Sequence, residues 1–268
     1  MTRTGNRPAA EAHPSGDDAT EQCAVFARQG FVDLGRVLGP ADVANWRDLF
    51  DDDRRRHPYF WHPYGHHQHA NYDALVTTPA FDGLIRHPKL LPVVESLLGG
   101  PACFGEIGLR CMPAYSGEPH RQWHRDRAHW LKHPRRIDYL QLMVYLTDVD
   151  EDTHCFSLSP EPVDQPILRE ETAQLGRGVY DLHGPAGTCA LCNAAILHTA
   201  TTRPTAVERK TVQIYYGHRG RAPLANDSAI PATLWRDHAD PETRAFYGVL
   251  NERTRLLLSA FPGADDNA

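Results

Sequence analysis

Two residues near the middle of the sequence, His124 and Asp126, could form part of a metal site. On a β-strand the side chains of residues two apart point to the same side, so this imidazole and this carboxylate would project together. A third ligand could come from His198, which lies much further along the chain. Two histidines and one carboxylate on one side of a metal leave its opposite side open, as in non-heme Fe(II) oxygenases. Because the chain contains 16 histidines, the same three residues could also be ordinary polar residues of the core or surface.

The composition argues against several other classes of protein. The chain has 268 residues and a formal net charge of −6, and it contains no basic patch of the kind that binds nucleic acid. It has no apolar stretch approaching the roughly 20 residues that a membrane span needs. The six cysteines are scattered, and we see no secretory signal. We therefore expect a reduced, cytoplasmic protein that binds neither nucleic acid nor membrane, with an oligomeric state that the sequence leaves open.

The order of the predicted elements indicates a single domain with a β core. Residues 1–17 are rich in Gly, Pro, Ala and charge, and they are predicted to be disordered. Helical patterns dominate as far as Gly100, and short strand patterns follow from Ala102 onwards. This order favours a mainly β (α+β) fold, a double-stranded β-helix or cupin-like jelly roll with flanking helices. We expect residues 18–268 to form this one domain, which a C-terminal helix closes.

Two of the predicted strands carry polar side chains on one side. Glu106 and Arg110 alternate with apolar residues, and so do Tyr139 and Gln141 on a later strand. Because alternate residues of a barrel strand face inwards, these four could line a cavity beside the metal. Glu106 and Arg110 could equally pair with each other, and Tyr139 and Gln141 could simply fill the barrel. The histidine-rich segment 57–69 is predicted to be a loop that borders the same site.

The order of these features resembles the phytanoyl-CoA dioxygenase family. The resemblance spans roughly Phe104 to Tyr216 and rests on His124-x-Asp126, the run from Tyr145 to Asp150, Gly187-Thr188 before a strand, His198 and the later Arg209. It implies an Fe(II)- and 2-oxoglutarate-dependent dioxygenase in which His124, Asp126 and His198 hold the iron. Related halogenases carry a small residue at the position of Asp126, so a carboxylate here favours oxygenation.

The same resemblance gives a role to Arg209, which lies 11 positions after His198. A hairpin return could bring it beside the metal, where its guanidinium would suit the distal carboxylate of 2-oxoglutarate. A surface salt bridge would also account for this arginine. Thr211 lies on the same side of its strand and could add a hydroxyl contact to the same carboxylate. Gln141 is predicted to be a further contact to this cofactor.

The implied reaction is the hydroxylation of a small molecule, such as an intermediate of specialised metabolism. O2 is consumed, 2-oxoglutarate is decarboxylated to succinate, and ascorbate could serve as reductant. Glu106, Arg110 and Tyr139 are the predicted substrate contacts. The same iron site could instead drive epimerisation, desaturation or cyclisation. A non-catalytic jelly-roll protein that binds metal or ligand and a zinc hydrolase with the same ligands are the alternatives from other classes. The small hydroxyl residue that the family often has two positions after the distal histidine is Ala200 here.

Overall fold

A computed structural model describes residues 16–65 and 67–260, in which short helices surround a β core. In chain order the helices are α1 (Gly16–Gln29), α2 (Pro40–Arg56), α3 (Ala74–Thr77), α4 (Asp82–Ile85), α5 (Leu91–Leu98), α6 (Glu171–Leu175), α7 (Ala232–Trp235), α8 (Pro241–Tyr247) and α9 (Glu252–Ser259). Helix α1 includes residues 16 and 17 of the segment predicted to be disordered, and residues 1–15 lie outside the described part. The predicted C-terminal helix is present as two short helices, α8 and α9. None of the helices described is both long and apolar enough to cross a membrane.

The strands form two antiparallel sheets. They are β1 (Phe31–Arg36), β2 (His62–Tyr64), β3 (Gln68–Asn71), β4 (Ala102–Met112), β5 (Leu140–Tyr145), β6 (Cys155–Leu158), β7 (Tyr180–Leu182), β8 (Thr188–Asn193), β9 (His198–Thr201) and β10 (Arg209–His218). The larger sheet has the order β1-β8-β5-β10-β4-β3-β2, and the smaller sheet has the order β7-β6-β9. Most neighbouring strands are far apart in the sequence, as a jelly roll requires, and the predicted fold class is confirmed.

The larger sheet separates two apolar clusters. On its outer side, Leu142 and Val144 of β5 pack in one cluster with apolar residues of the helices. On its inner side, Met143 and Tyr145 pack against Phe156 of the smaller sheet. The alternation read from the sequence of β5 is therefore correct: one set of residues contacts the helices and the other set faces the barrel interior.

The segment that carries His124 is not the regular strand that the sequence predicted. It runs antiparallel to β9 through isolated bridges, of which the last pairs His124 with His198. Asp126 already lies in a bend, where its amide donates to the carbonyl of Ala194 at 3.0 Å. Local backbone bonding to β9 and to Ala194 therefore positions His124 and Asp126, and the two-residue period of a strand does not.

The histidine-rich segment 57–69 contains more regular structure than the predicted loop. Its second half forms a hairpin, β2 and β3, that extends the larger sheet beyond β4. Pro63 is tolerated because β2 is the edge strand of that sheet. The segment does border the site, since Tyr64 and Gln68 line the cavity described below. His66 lies outside the described residues.

The chain reaches Arg209 by crossing from one sheet to the other, and the suggested hairpin return is wrong. Strand β9, which begins at His198, belongs to the smaller sheet, whereas β10 lies between β5 and β4 in the larger sheet. The side of β10 that carries Arg209 also carries Thr211, Gln213 and Tyr215, as strand alternation predicts. This row of polar residues therefore faces the smaller sheet across the barrel.

One buried carboxylate ties helix α2 to the hairpin and to helix α3. Asp53 is 1% exposed. It accepts hydrogen bonds from the indole of Trp61 and the amide of Asn71, both at 2.9 Å, and from the hydroxyls of Thr77 and Thr78. Four donors around one carboxylate compensate for its removal from water.

Replacing Asp53 by alanine should destabilise the protein, because four buried donors then lose their acceptor. We expect the free energy of unfolding to fall by about 3 kcal/mol, as for other broken buried networks. Asp52 is the matched control: it is more exposed and pairs with Arg55 and Arg56 at the surface. Asp52→Ala should change the same free energy by less than about 0.5 kcal/mol. Urea unfolding measures both variants, and equal effects would contradict the role of the network.

Candidate active site

His124 and His198 lie side by side because their backbones are bonded to each other. The amide of each donates to the carbonyl of the other at 3.0 Å, as in a hydrogen-bonded pair of antiparallel strands. The side chains of such a pair leave the same side of the sheet, and the two ring centroids are 4.5 Å apart. The side chain of His198 is 3% exposed and that of His124 is 42% exposed. The pair therefore extends from the barrel interior to its mouth.

Asp126 completes a cluster of three ligand groups. One of its carboxylate oxygens lies 3.5 Å from Nε2 of His124, and the other lies 3.4 Å from Nε2 of His198. The three ligand atoms all lie within 4.8 Å of one another. The hydroxyl of Tyr215 donates to Asp126 at 2.9 Å. Two imidazoles and one carboxylate at this spacing suit a divalent transition metal such as iron.

Both imidazoles are held in the tautomer that a metal ligand needs. Nδ1 of His124 lies 3.0 Å from the carbonyl oxygen of Gln122, and Nδ1 of His198 lies 2.9 Å from that of Ile196. Because a carbonyl can only accept, we assign the proton of each neutral ring to Nδ1, which leaves the lone pair on Nε2. The rings are therefore oriented for metal binding by the protein itself.

The carboxylate of the cluster is ionised at neutral pH. Burial by itself would raise the pKa of Asp126, but the neighbouring His198 and His124 outweigh it and hold that pKa well below its usual range. The hydrogen bond to Asp126 raises the pKa of His124 above its ordinary value, against the smaller opposing effect of burial. The site thus offers a preformed anion to a cation.

The residue between the two ligands anchors this segment from behind. Arg125 donates to the carbonyl of Ala195 and to the carboxylate of Glu161, both at 2.6 Å. The side chain of Glu161 is 1% exposed, and Nε2 of His129 lies 2.8 Å from its other oxygen. Burial opposes ionisation of Glu161, but the bonds from His129 and Arg125 prevail and lower its pKa. Residue type and spacing alone indicate no role for Arg125, His129 or Glu161.

Arg209 is a buried cation without an anionic partner among the described residues. It is 2% exposed, and none of its three guanidinium nitrogens has a hydrogen-bond partner among the described residues. Burial lowers its pKa, although a guanidinium remains charged in proteins. A carboxylate could accept two parallel hydrogen bonds from it, so these residues fit the distal carboxylate of 2-oxoglutarate. Thr211 is fully buried beside it, with its hydroxyl 3.4 Å from the carbonyl oxygen of Arg110, to which it donates.

An open cavity of about 210 Å³ begins at the three ligand groups. Four residues selected from the sequence line it, namely Glu106, Arg110, Tyr139 and Gln141. Arg209 and Thr211 are not among the described residues that line it. Several other lining residues are not among those predicted from the sequence to form the site: Tyr64, Gln68, Arg127, Gln213, Tyr215 and Asp227. Strand alternation places Gln213 and Tyr215 on the side of β10 that carries Arg209, whereas no local pattern connects Tyr64 or Asp227 with the site.

The walls of the cavity are held by close packing and by a side-chain hydrogen bond. The amide of Gln141 donates to the side-chain oxygen of Gln213 at 3.1 Å. The ring of Tyr139 covers Gly105 and Gly217, where a β-carbon would lie only 2.4 and 2.7 Å from ring atoms or the hydroxyl. Glycine at these two positions therefore lets the tyrosine ring pack directly against the backbone of the strands.

Glu106 is a buried acid on the wall of this cavity. Burial raises its pKa to about 8, and the nearby carboxyl of Asp227 adds to the rise while Arg110 opposes it. A carboxyl with such a pKa is largely protonated at neutral pH in the absence of a ligand. Asp227 thus contributes a second acidic group to the same wall.

The fold and the site define a class of protein: a jelly-roll barrel with two imidazoles and a carboxylate at its mouth, as in non-heme iron oxygenases. Residues 26–211 match the family described as phytanoyl-CoA dioxygenase (PhyH). The chain belongs to this family, as the resemblance in its sequence indicated. It is an Fe(II)- and 2-oxoglutarate-dependent oxygenase that acts on a small molecule.

Individual relatives are more distant. L-proline trans-4-hydroxylase from Streptomyces griseoviridis is 25% identical over 250 residues, which covers 79% of this chain and 91% of that protein. The epimerase SnoN, solved with Fe3+, alpha ketoglutarate and nogalamycin RO, has a TM-score of 0.67 and 19% identity over 88% of this chain and 97% of its own. EctD from S. alaskensis, solved with bound Fe, has a TM-score of 0.64 and 17% identity, and the match covers 84% of this chain and 87% of EctD. These structures share the fold of this chain.

The raised pKa of Glu106 predicts a specific pH dependence of stability. Between its usual value of 4.5 and about 8, the folded protein keeps a proton that the unfolded chain has lost. The contribution of Glu106 to the free energy of unfolding is therefore fully present below pH 4.5. It is lost as the pH rises towards about 8, by up to about 1.4 kcal/mol per pH unit. Glu106→Gln removes the dependence, so the variant should gain stability relative to the natural protein from pH 5 to pH 8. Urea unfolding across this range measures the difference, and a difference that does not change with pH would contradict the buried acid.

Proposed function

We propose that His124, Asp126 and His198 bind Fe(II) and that the enzyme hydroxylates a small molecule beside them. The observation that carries this proposal is the cluster itself, with three ligand atoms within 4.8 Å and both Nε2 atoms turned to one carboxylate. The bound iron and 2-oxoglutarate supply the oxidation of a substrate C–H bond by O2, with succinate and CO2 as coproducts. Hydroxylation is favoured over epimerisation, desaturation or cyclisation because the relative from Streptomyces griseoviridis is by name a hydroxylase.

The protein's own part begins with holding 2-oxoglutarate. Arg209 binds its distal carboxylate, because three unpaired nitrogens of a buried guanidinium need an anionic partner. Thr211, on the side of β10 that carries Arg209, and Gln141, on the adjacent strand β5 opposite Tyr215, complete the contacts to the cofactor. Asp126 remains ionised and is oriented by the hydroxyl of Tyr215, which keeps the carboxylate turned towards both imidazoles.

The substrate binds in the cavity that opens from the cluster. Glu106, Arg110 and Tyr139 form part of its wall, and such polar groups orient a small molecule with one C–H bond towards the metal. Ascorbate is the reductant that would keep the iron ferrous. The free thiols of all six cysteines support a location in the reducing cytoplasm. We also assign residues 18–268 to a single domain.

Asp126→Ala should weaken Fe(II) binding by about 100-fold, since the single anionic ligand is lost. An anaerobic titration with Fe(II) and 2-oxoglutarate, followed by the metal-to-ligand charge-transfer band, measures this affinity, and succinate formation in air measures turnover. Asp152→Ala, in an exposed turn, is the matched control and should behave like the natural protein. Succinate formation that persists unchanged in Asp126→Ala would refute the proposed ligand set.

The same measurements separate the other classes of function. Iron binding without O2-dependent succinate formation in the natural protein would favour a non-catalytic binding protein. Activity that needs neither O2 nor reductant would favour a zinc hydrolase with the same ligands.

Arg209→Gln should change stability and cofactor binding in opposite directions. Without 2-oxoglutarate the variant should be more stable than the natural protein, because a buried unpaired cation is removed. Its affinity for 2-oxoglutarate should fall about 100-fold, or about 2.7 kcal/mol. Thermal unfolding with and without Fe(II) and 2-oxoglutarate measures both effects, and Arg47→Gln on the exposed side of α2 is the control. Equal stabilisation of variant and natural protein by 2-oxoglutarate would exclude Arg209 as its partner.

A further inference from the structure

The cavity beside the cluster is small and has charged groups of both signs in its wall. Its volume of about 210 Å³ is below the roughly 300–1,000 Å³ of typical ligand pockets. Apart from Asp126 of the metal cluster, the acidic groups are Glu106 and Asp227, and the basic groups are Arg110 and, at the exposed rim, Arg127. A ligand of this cavity must therefore be small, and it must satisfy an acidic region and a basic region together.

The acidic region is held in place by the loop that follows β10. The hydroxyl of Ser228 bonds to both backbone groups of Ile107, at 3.0 Å to the amide and 3.2 Å to the carbonyl. The carbonyl of Ser228 in turn accepts from the side chain of Asn251 at 2.7 Å. These bonds fix Asp227, which precedes Ser228, close to Glu106, which precedes Ile107. Two carboxyls so placed repel each other unless a proton or a cation lies between them.

The basic region contains a buried guanidinium with an unused donor. Arg110 is 9% exposed, and its Nε has no hydrogen-bond partner among the described residues. Its guanidinium carbon lies 4.7 Å from the ring centroid of Tyr64 and 5.3 Å from that of Tyr72. These cation–π contacts fix the position of the guanidinium, but ring faces supply no acceptor in its plane. An anionic oxygen in the cavity would supply one.

We propose that the substrate is a small amino acid, whose ammonium group binds between Glu106 and Asp227 and whose carboxylate binds Arg110. This inference rests on the proposed function of the site and adds the class of molecule that is oxidised. A neutral ligand would form a charge pair with neither the two carboxyls nor Arg110, and an amine or an acid alone would pair with only one of them. A zwitterion pairs with both regions at once and is held in one orientation relative to the metal cluster.

Matched derivatives of amino acids test this assignment. The probes are the free protein amino acids, beginning with L-proline, together with their N-acetyl derivatives, which lack the ammonium group, and their methyl esters, which lack the carboxylate. Binding is measured by anaerobic calorimetry on the full chain loaded with Fe(II) and 2-oxoglutarate. We expect at least one free amino acid to bind, and each blocked form to bind at least about tenfold more weakly.

Two variants assign each charge of the ligand to its partner. Glu106→Gln should weaken the binding of the free amino acid and of its methyl ester about tenfold. It should leave the binding of the N-acetyl form unchanged, because that form has no ammonium group. Arg110→Gln should weaken the binding of the free amino acid and of the N-acetyl form, and it should leave the binding of the methyl ester unchanged. Arg110→Lys should restore part of the binding that Arg110→Gln loses. Glu171→Gln and Arg47→Gln, at exposed positions, are the matched controls. Stabilisation by 2-oxoglutarate confirms that each variant keeps a folded, loaded site.

The charge-transfer band, recorded before any amino acid is added, distinguishes a failure of the proposed iron site from a failure of the proposed substrate class. If the band forms and no free amino acid binds more tightly than its blocked forms, the substrate class is wrong and the iron site stands. The same conclusion follows if both glutamine variants weaken all three forms equally. If the band does not form, the proposed function fails and the amino-acid assignment fails with it.

Discussion

Two backbone hydrogen bonds determine the geometry of the site. The amides and carbonyls of His124 and His198 bond reciprocally at 3.0 Å, so two imidazoles from distant parts of the chain stand next to each other. The two backbone segments cannot separate without breaking this pair of bonds, and the contacts of each Nδ1 with a carbonyl oxygen orient the rings, which is the kind of support that precise metal geometry needs. Asp126, bonded through its amide to Ala194 and through its carboxylate to Tyr215, is positioned relative to this pair.

The barrel interior departs from the apolar filling that is usual for a barrel of this size. Arg209 and Arg110 are both buried with donors that lack partners among the described residues, and Glu106 is a buried acid beside another carboxyl. Such groups reduce stability in the empty protein, and they persist where a ligand completes their bonding. Cofactor and substrate binding should therefore be coupled to the stability of the fold more strongly than the contact area alone implies.

Much of this arrangement could be predicted from local pattern. The family resemblance, the jelly-roll class and the polar side of β5 and β10 all followed from residue type and spacing. The errors concern pairing: the segment around His124 is an isolated bridge and not a strand, and the chain crosses between sheets before Arg209. Segment 57–69 was predicted as a loop because Pro58 and Pro63 interrupt regular elements, but the edge position of β2 in the sheet tolerates Pro63.

The sequence by itself determined which side of each strand is polar, because the two-residue period of a strand depends only on local geometry. It therefore placed Arg209, Gln213 and Tyr215 on one side of β10 without any knowledge of the fold. Only the tertiary structure decided which polar sides meet. The loop that carries Asp227 and the hairpin that carries Tyr64 reach the cavity through contacts between residues far apart in the chain. Such contacts depend on how the two sheets and their loops pack together, and spacing along one strand carries no information about that packing.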